Sequence, residues 1–269
     1  MAQTGRPAGE AARIARAERL GDYFELQLRF AESIAERAAI PIDEAVTRYT
    51  NLHRRFGLGV IGDTPPSADW TRYVRRLARL GTTGERLAWT QVFYVTCLEE
   101  TPPPGQTPFG CFSCEAPSEE GAIRIHFNNN KGEAGEGPLS RSNAPLRIDE
   151  LRAMFAFVRQ AYPDAKSVNG ASWLYNIEAY RRLFPPDYAA SGRLPRGPVR
   201  LTGTSSWGQF LDHRGAVKPD LRRRFLDNFE TLDVDAPWRA FPLPALRTGA
   251  PMKSFYGFYG VRTRRPGRG

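Results

Sequence analysis

A chain of 269 residues with 41% apolar content is long enough to bury a sizeable core, which excludes a wholly disordered protein. It holds no run of eighteen apolar residues, and residues 1–21 scatter Arg and Glu among alanines, so neither a membrane span nor an export signal is expected and the protein reads as cytoplasmic. The net charge of +9 is concentrated at the ends: residues 1–21 carry +2 and residues 261–269 carry +4, leaving +3 for a mildly basic body between two segments expected to be mobile.

Leu20, Tyr23, Phe24, Leu28, Ala31, Ile34, Ala35 and Ala38 recur at three- and four-residue spacings and predict a long amphipathic helix. A second helix is expected from Pro41 to the stop at Gly57, with Asp43 and Glu44 at the positive end of its dipole and Ile42, Val46, Tyr49, His53 and Phe56 inward. His53 on that stripe reads first as a core histidine. A third helix is expected over 67–80, capped by Gly81.

The pattern then changes. Residues 88–98 are β-branched and aromatic, and residues 122–127 alternate apolar with polar, so both predict strands, joined by a Pro/Gly-rich connection over 101–110. A long polar loop follows over 128–145, a length typical of a functional lid or a disordered insert. Next come a helix over 147–162, a strand over 167–174, a short helix over 177–184 ended by two prolines, a strand over 199–204, a helix over 219–232 and an aromatic strand over 252–261. The expected fold is α+β: a helical N-terminal layer packed on a mixed, mostly antiparallel sheet with crossover helices. It forms a single domain over 22–261, helical over 22–85 and sheet-containing over 86–261, between the basic segment 1–21 and an Arg-rich tail over 262–269.

Cys97, Cys111 and Cys114 are too few for a disulfide framework and suit a reducing compartment. The pair Cys111 and Cys114 forms a lone CxxC without the further ligands that zinc needs, so these cysteines are expected to end a strand and no metal is expected. No phosphate-binding loop, nicotinamide fingerprint or kinase motif is present, and no cofactor is expected.

Three polar stretches carry candidate chemistry. On the strand over 122–127, Ile123, Ile125 and Phe127 face one way, so Arg124, His126 and Asn128 share the other face, followed by Asn130 and Lys131. Such a surface would hold an anion with Arg and Lys and use His126 as acid or base. Trp173, Tyr175 and Asn176 at a strand-to-helix junction would wall a pocket. Ser205, Ser206 and Gln209, followed by His213, Arg214 and Lys218, would supply hydroxyls, amides, two cations and proton-transfer groups, Lys218 being one of only four lysines among 38 basic residues.

The loop glycines Gly132, Gly135 and Gly137, between a strand and a helix, resemble the pyrophosphate loop of acetyl-CoA-dependent N-acyltransferases. The chain departs from that pattern: Glu133 and Glu136 would repel a pyrophosphate, no Gln or Arg stands three residues before Gly135, and the helix starts late, so no residue roles follow.

The leading expectation is an enzyme, a transferase or lyase, acting on a small polar anionic metabolite by acid–base-assisted group transfer or elimination. His126, Lys218 and His213 would move protons, and Arg124, Asn128, Asn130, Lys131, Trp173, Tyr175, Asn176, Ser205, Ser206, Gln209 and Arg214 would bind substrate. A substrate tethered to an acidic carrier or partner protein would dock on the basic ends. The alternatives are a nucleic-acid-binding protein using the Arg-rich tail and the final aromatic strand, and a non-catalytic interaction subunit.

Overall fold

The computed structural model describes residues 6–59, 61, 66–97, 107–129 and 135–262. Its contacts divide the chain into two compact units, Met1–Thr101 with Gly197–Leu243 and Pro102–Arg196 with Pro244–Gly269. Each unit is therefore assembled from two stretches of chain, where a single domain with one internal boundary near residue 86 was expected.

The first unit is helical. It comprises α1 (Arg6–Arg19), α2 (Gly21–Ala38), α3 (Ile42–Tyr49), α4 (Leu52–Arg55), α5 (Ala68–Leu77), α6 (Thr83–Thr96), α10 (Thr204–Trp207) and α11 (Pro219–Asp227). Helix α2 has Tyr23, Phe24, Leu28, Ala31 and Ile34 all removed from solvent, as its spacing predicts, with Ala35 and Ala38 half-buried and Phe30, outside that stripe, buried as well. The indole of Trp207 lies edge-on to Phe30 at 5.6 Å and to Phe241 at 4.9 Å, and its N–H donates to the Tyr49 carbonyl at 3.2 Å. Burying an aromatic ring of this kind stabilises a fold by about 2–3 kcal/mol.

Four expectations in this unit are corrected. Residues 88–98 do not form a strand: the described part lies in α6, whose capping box joins the Thr82 side chain to the Glu85 backbone and the Glu85 carboxylate to the Thr82 backbone. Trp89 then packs on Tyr73, and Phe93 on Phe56, so cap and tertiary packing together override β-propensity. Residues 199–204 are not a strand either; the chain is irregular until α10 begins at Thr204, although Leu201 and Thr202 are buried. The expected second helix breaks at Thr50 and Asn51, where Asn51 turns its backbone N–H to the Gln27 side chain at 2.8 Å and its side-chain oxygen accepts from the Tyr23 hydroxyl at 3.1 Å. Residues 6–19, expected as part of a mobile extension, are helix α1 with Ala17 buried.

The second unit contains the sheet, with β1 (Thr107–Phe109), β2 (Phe112–Cys114), β3 (Ala122–Phe127), β4 (Ser167–Ser172) and β5 (Leu246–Pro251) in that spatial order. Strands β3 and β4 are parallel and joined by the crossover helix α7 (Ala144–Ala161); every other pairing is antiparallel. Helices α8 (Glu178–Arg181), α9 (Pro186–Ala190) and α12 (Met252–Phe258) complete it. The chain is thus α+β with a mixed, mostly antiparallel sheet. Among the described residues no helix is long and apolar enough to cross a membrane.

Burial alternates along the sheet. Ile123, Ile125, Val168, Gly170, Thr248 and Ala250 face the packed side, where Phe155 of α7 meets Phe255 of α12 at 4.7 Å and Tyr188 meets Phe255 at 5.0 Å. The aromatic strand expected over 252–261 is instead α12, because β5 closes at Pro251, the residue that caps the helix. Strand β5 is made of Leu246, Arg247, Thr248, Gly249, Ala250 and Pro251, a set with little β-propensity held by the β4 ladder. The β1–β2 hairpin falls where a connection was expected, and Gly110 turns it at φ 62.

Candidate functional site

The side of the sheet opposite the tyrosines and α7 is polar. The register aligns Arg124 with Asn169 and Asn169 with Gly249; two residues further along, Ala171 aligns with Arg247. Ser113 lies directly across from His126, and Glu115, just past β2, donates its backbone N–H to the Arg124 carbonyl at 3.1 Å. Alternation therefore sets Ser113, Glu115, Arg124, His126, Asn169, Ala171, Arg247 and Gly249 on one face, with Arg124, Asn169, Ala171, Arg247 and Gly249 exposed.

Two geometric facts distinguish this face. The His126 Nε2 and the Glu115 Oε1 are 2.6 Å apart, and both side chains are partly open to solvent. A carboxylate at one ring nitrogen fixes the tautomer and orientation of an imidazole and stabilises its protonated form. Among the described residues, moreover, neither Arg124 nor Arg247 makes an ion pair, so two guanidinium charges stand unneutralised on the same surface. The floor between them is low, being formed by Ala171 and Gly249. A Cβ on Gly249 would meet Asn169 Oδ1 at 2.9 Å, so the Asn169 amide lies over that glycine.

The other expected site residues have different surroundings. Asn128 is exposed and donates its backbone N–H to the Cys111 carbonyl at 2.8 Å; Asn130 and Lys131 lie outside the described residues. Tyr175 is on the packed side of the sheet, its hydroxyl 2.6 Å from that of Tyr188, and burial pushes both phenols up, so it walls no part of the polar face. Trp173 is buried, and Asn176 donates to the Trp173 and Pro244 carbonyls at 2.8 Å each, which makes it a clasp for the chain around it.

Ser205, Ser206, Gln209, His213, Arg214 and Lys218 belong to the first unit. Gln209 is fully buried: its amide donates to the Ser206 carbonyl at 2.8 Å and the Leu243 carbonyl at 3.0 Å, and its oxygen accepts from the Leu243 N–H at 2.9 Å. That is a structural tie, not a substrate-positioning group. Ser206 is buried and Ser205 half-buried on α10. His213 and Arg214 sit on a turn organised by Asp212, whose carboxylate accepts from the backbone of Arg214 and Ala216. Lys218 donates from Nζ to the Gln209 carbonyl at 3.0 Å; burial pulls its amine down, opposed by the nearby Asp212 charge. His53 is buried beside Trp70 with its Nδ1 3.1 Å from the Gly59 carbonyl, and burial holds its ring below the ordinary histidine range.

Gly135 has φ 75, but the loop after it is closed by its own side chains: the Ser142 hydroxyl donates to the Glu136 carboxylate, and Asn143 donates to the Gly137 carbonyl at 3.0 Å. A resident carboxylate thus occupies the ground before α7 where an acyltransferase-like loop would receive a pyrophosphate. Cys111 and Cys114 flank two extended residues, which separates their Cα atoms by about 10 Å, beyond disulfide reach. Among the described residues no group of His, Cys, Asp and Glu has metal-ligating geometry. The final aromatic stretch offers no stacking platform, since Phe255 and Tyr259 are buried in the packed side and only Phe258 is well exposed.

The residues that sequence reasoning missed are Glu115, Asn169 and Arg247. Glu115 lies at a pairing position mirrored about the Ser118–Gly121 turn, which the alternation of 122–127 would have extended backwards had β2 been recognised. No family model, no curated protein and no solved structure matches this chain.

Proposed function

We propose that the polar sheet face of the second unit is the site of an enzyme acting on a small anionic substrate, with His126 as its proton-transfer group. The observation that carries this is the 2.6 Å pair between His126 and Glu115 on the same surface as two guanidinium groups that make no ion pair among the described residues. Arg124 and Arg247 hold the negative charge of the substrate. His126 takes a proton from the substrate, stores it as an imidazolium against Glu115, and returns it to the departing group, the sequence required by an acid–base-assisted transfer or elimination. The scheme assigns no role to Lys218 or His213. Three free thiols agree with a reducing, cytoplasmic setting.

The test begins without a substrate. The His126 ring is titrated by NMR in the wild type and in Glu115→Gln, and removing the carboxylate charge is expected to move the ring's titration to lower pH. Identical titrations would overturn the pairing on which the scheme depends. A panel of small phosphorylated and carboxylated metabolites then identifies turnover, which His126→Gln should reduce by about 10²–10⁴-fold while the protein stays folded. Turnover retained in His126→Gln would remove the histidine from the mechanism.

A further inference from the structure

The edge of the polar face has a feature that the scheme above does not use. Arg193, on the segment after α9, forms an isolated antiparallel bridge with Arg247 of β5. Each donates its backbone N–H to the other's carbonyl at 2.9 Å. Such a doubly bonded pair has its Cα atoms about 5.5 Å apart and sends both side chains to the same face. Two guanidinium groups therefore rise side by side, both exposed, at a position where like charges destabilise a strand pair.

Among the described residues neither Arg193 nor Arg247 makes an ion pair, and Glu115, the only carboxylate found at the strand positions of this face, is engaged by His126. Asp187, on nearby α9, is likewise committed, accepting from the Tyr188 backbone at 2.9 Å and from the Ser254 hydroxyl. An uncompensated double positive charge at a backbone-fixed spacing is the complement of a compact dianion.

We propose that Arg193 and Arg247 form the phosphate subsite of this face, taking the phosphate monoester group of a small substrate whose other end lies at His126. A carboxylate can satisfy one guanidinium fork and one positive charge. A phosphate monoester presents three acceptor oxygens and nearly two negative charges, which engages both forks at once. The backbones of β3 and β5 are two inter-strand spacings apart, about 10 Å, with Asn169 and Ala171 of β4 exposed between them and the Asn169 amide leaning over Gly249 of β5. A ligand of a few bonds therefore spans from the arginine pair across β4 to the imidazole, with Arg124 and Asn169 flanking its middle. The assignment of the ligand's reacting end rests on the function proposed above; the phosphate subsite stands on the arginine bridge alone.

The experiment uses the full chain and requires no turnover. Inorganic phosphate and glycerol 3-phosphate are titrated while backbone amides of residues 247–249 are followed by NMR, with acetate as the monoanionic control. Saturable shifts are expected for both phosphates, tighter for the monoester, and Arg193→Gln or Arg247→Gln should each weaken binding at least tenfold. Arg181→Gln, a solvent-exposed arginine on α8, should leave it unchanged. Because each substitution relieves a like-charge contact, the urea midpoint of Arg193→Gln or Arg247→Gln is expected to stay level or rise, whereas a merely structural arginine pair would lose stability. Equal response to acetate, or full binding in either Gln variant, would overturn the inference. So would binding of a single-stranded oligonucleotide that Arg124→Gln, Arg193→Gln and Arg247→Gln weaken equally with a steep salt dependence, since that marks an extended nucleic-acid surface. The His126 titration is independent of these measurements, so phosphate binding can fail while the His126–Glu115 effect survives, and the reverse.

Discussion

Replacing Gly170 by alanine probes the packing that supports the polar face from beneath. Gly170 lies on β4 between Asn169 and Ala171, and a Cβ built on it would stand 2.0 Å from the Tyr175 hydroxyl, 2.4 Å from the Tyr188 hydroxyl and 2.8 Å from Tyr175 Cζ. Both rings are buried, so the clash cannot be relieved by a swing into solvent. Overpacking of this kind costs about 1–3 kcal/mol, and separating the two hydroxyls forfeits about 1 kcal/mol more. The reduced freedom of the unfolded chain returns roughly 0.5–1 kcal/mol, leaving a net loss of about 2–3 kcal/mol. Removing both hydroxyls with Tyr175→Phe and Tyr188→Phe eliminates the two shortest contacts but keeps the one at 2.8 Å, so alanine in that background should cost about 1 kcal/mol or less. Native-state hydrogen exchange at the β4–β5 ladder amides, which reports the second unit by itself, measures all four corners of this cycle. An alanine cost below about 0.5 kcal/mol, or the same cost in both backgrounds, would refute the steric account.

Two further outcomes are expected in the helical unit. His53 is held below its ordinary value of 6.5 by burial, so as pH falls through 6.5 the unfolded chain takes up a proton that the folded state refuses, and stability drops until the folded ring itself titrates. His53→Gln should flatten that decline in urea midpoints measured across the acid range, with the gain confined to pH below about 6.5. Gln209→Leu removes the amide that ties both backbone groups of half-buried Leu243, while the Ser206 carbonyl keeps its bond from the Gly208 N–H, and should cost about 2 kcal/mol, read as a lowered urea midpoint. A loss below about 1 kcal/mol would mean that the tie is not needed.

Legibility followed the range of the interactions that decide each element. Helices α2, α5, α7 and α11 were readable because apolar spacing marks the first three and a first-turn proline opens the last, although α5 ends at Leu77 with Ala78 and not Gly81 as its cap. Helix α6 was missed because Val92, Phe93, Tyr94 and Val95 favour a strand in isolation, although Thr82 and Glu85 carried a capping signature. Strand β5 was invisible for the opposite reason: its residues have weak preference, and the β4 ladder imposes the conformation. At the site, the shared face of Arg124 and His126 followed from alternation alone. Glu115, Arg247 and Arg193 did not, since each joins that face through pairing with strands or segments distant in the chain, and the grouping of Lys218 with His126 in one pocket rested on no local signal at all.

The interleaved route of the chain also governs how the protein emerges during synthesis. Phe30 and Tyr23 of α2 are sealed by Trp207, Phe225 and Phe241, which belong to the returning segment Gly197–Leu243. Between Thr101 and Leu243 lie about 140 residues, which at ~5–20 residues per second take roughly 7–30 s to translate. For that interval the hydrophobic centre of the helical half waits for its lid, and β4 likewise waits, over a shorter stretch, for β5. Neither half can be liberated as an uninterrupted fragment without forfeiting its closing piece.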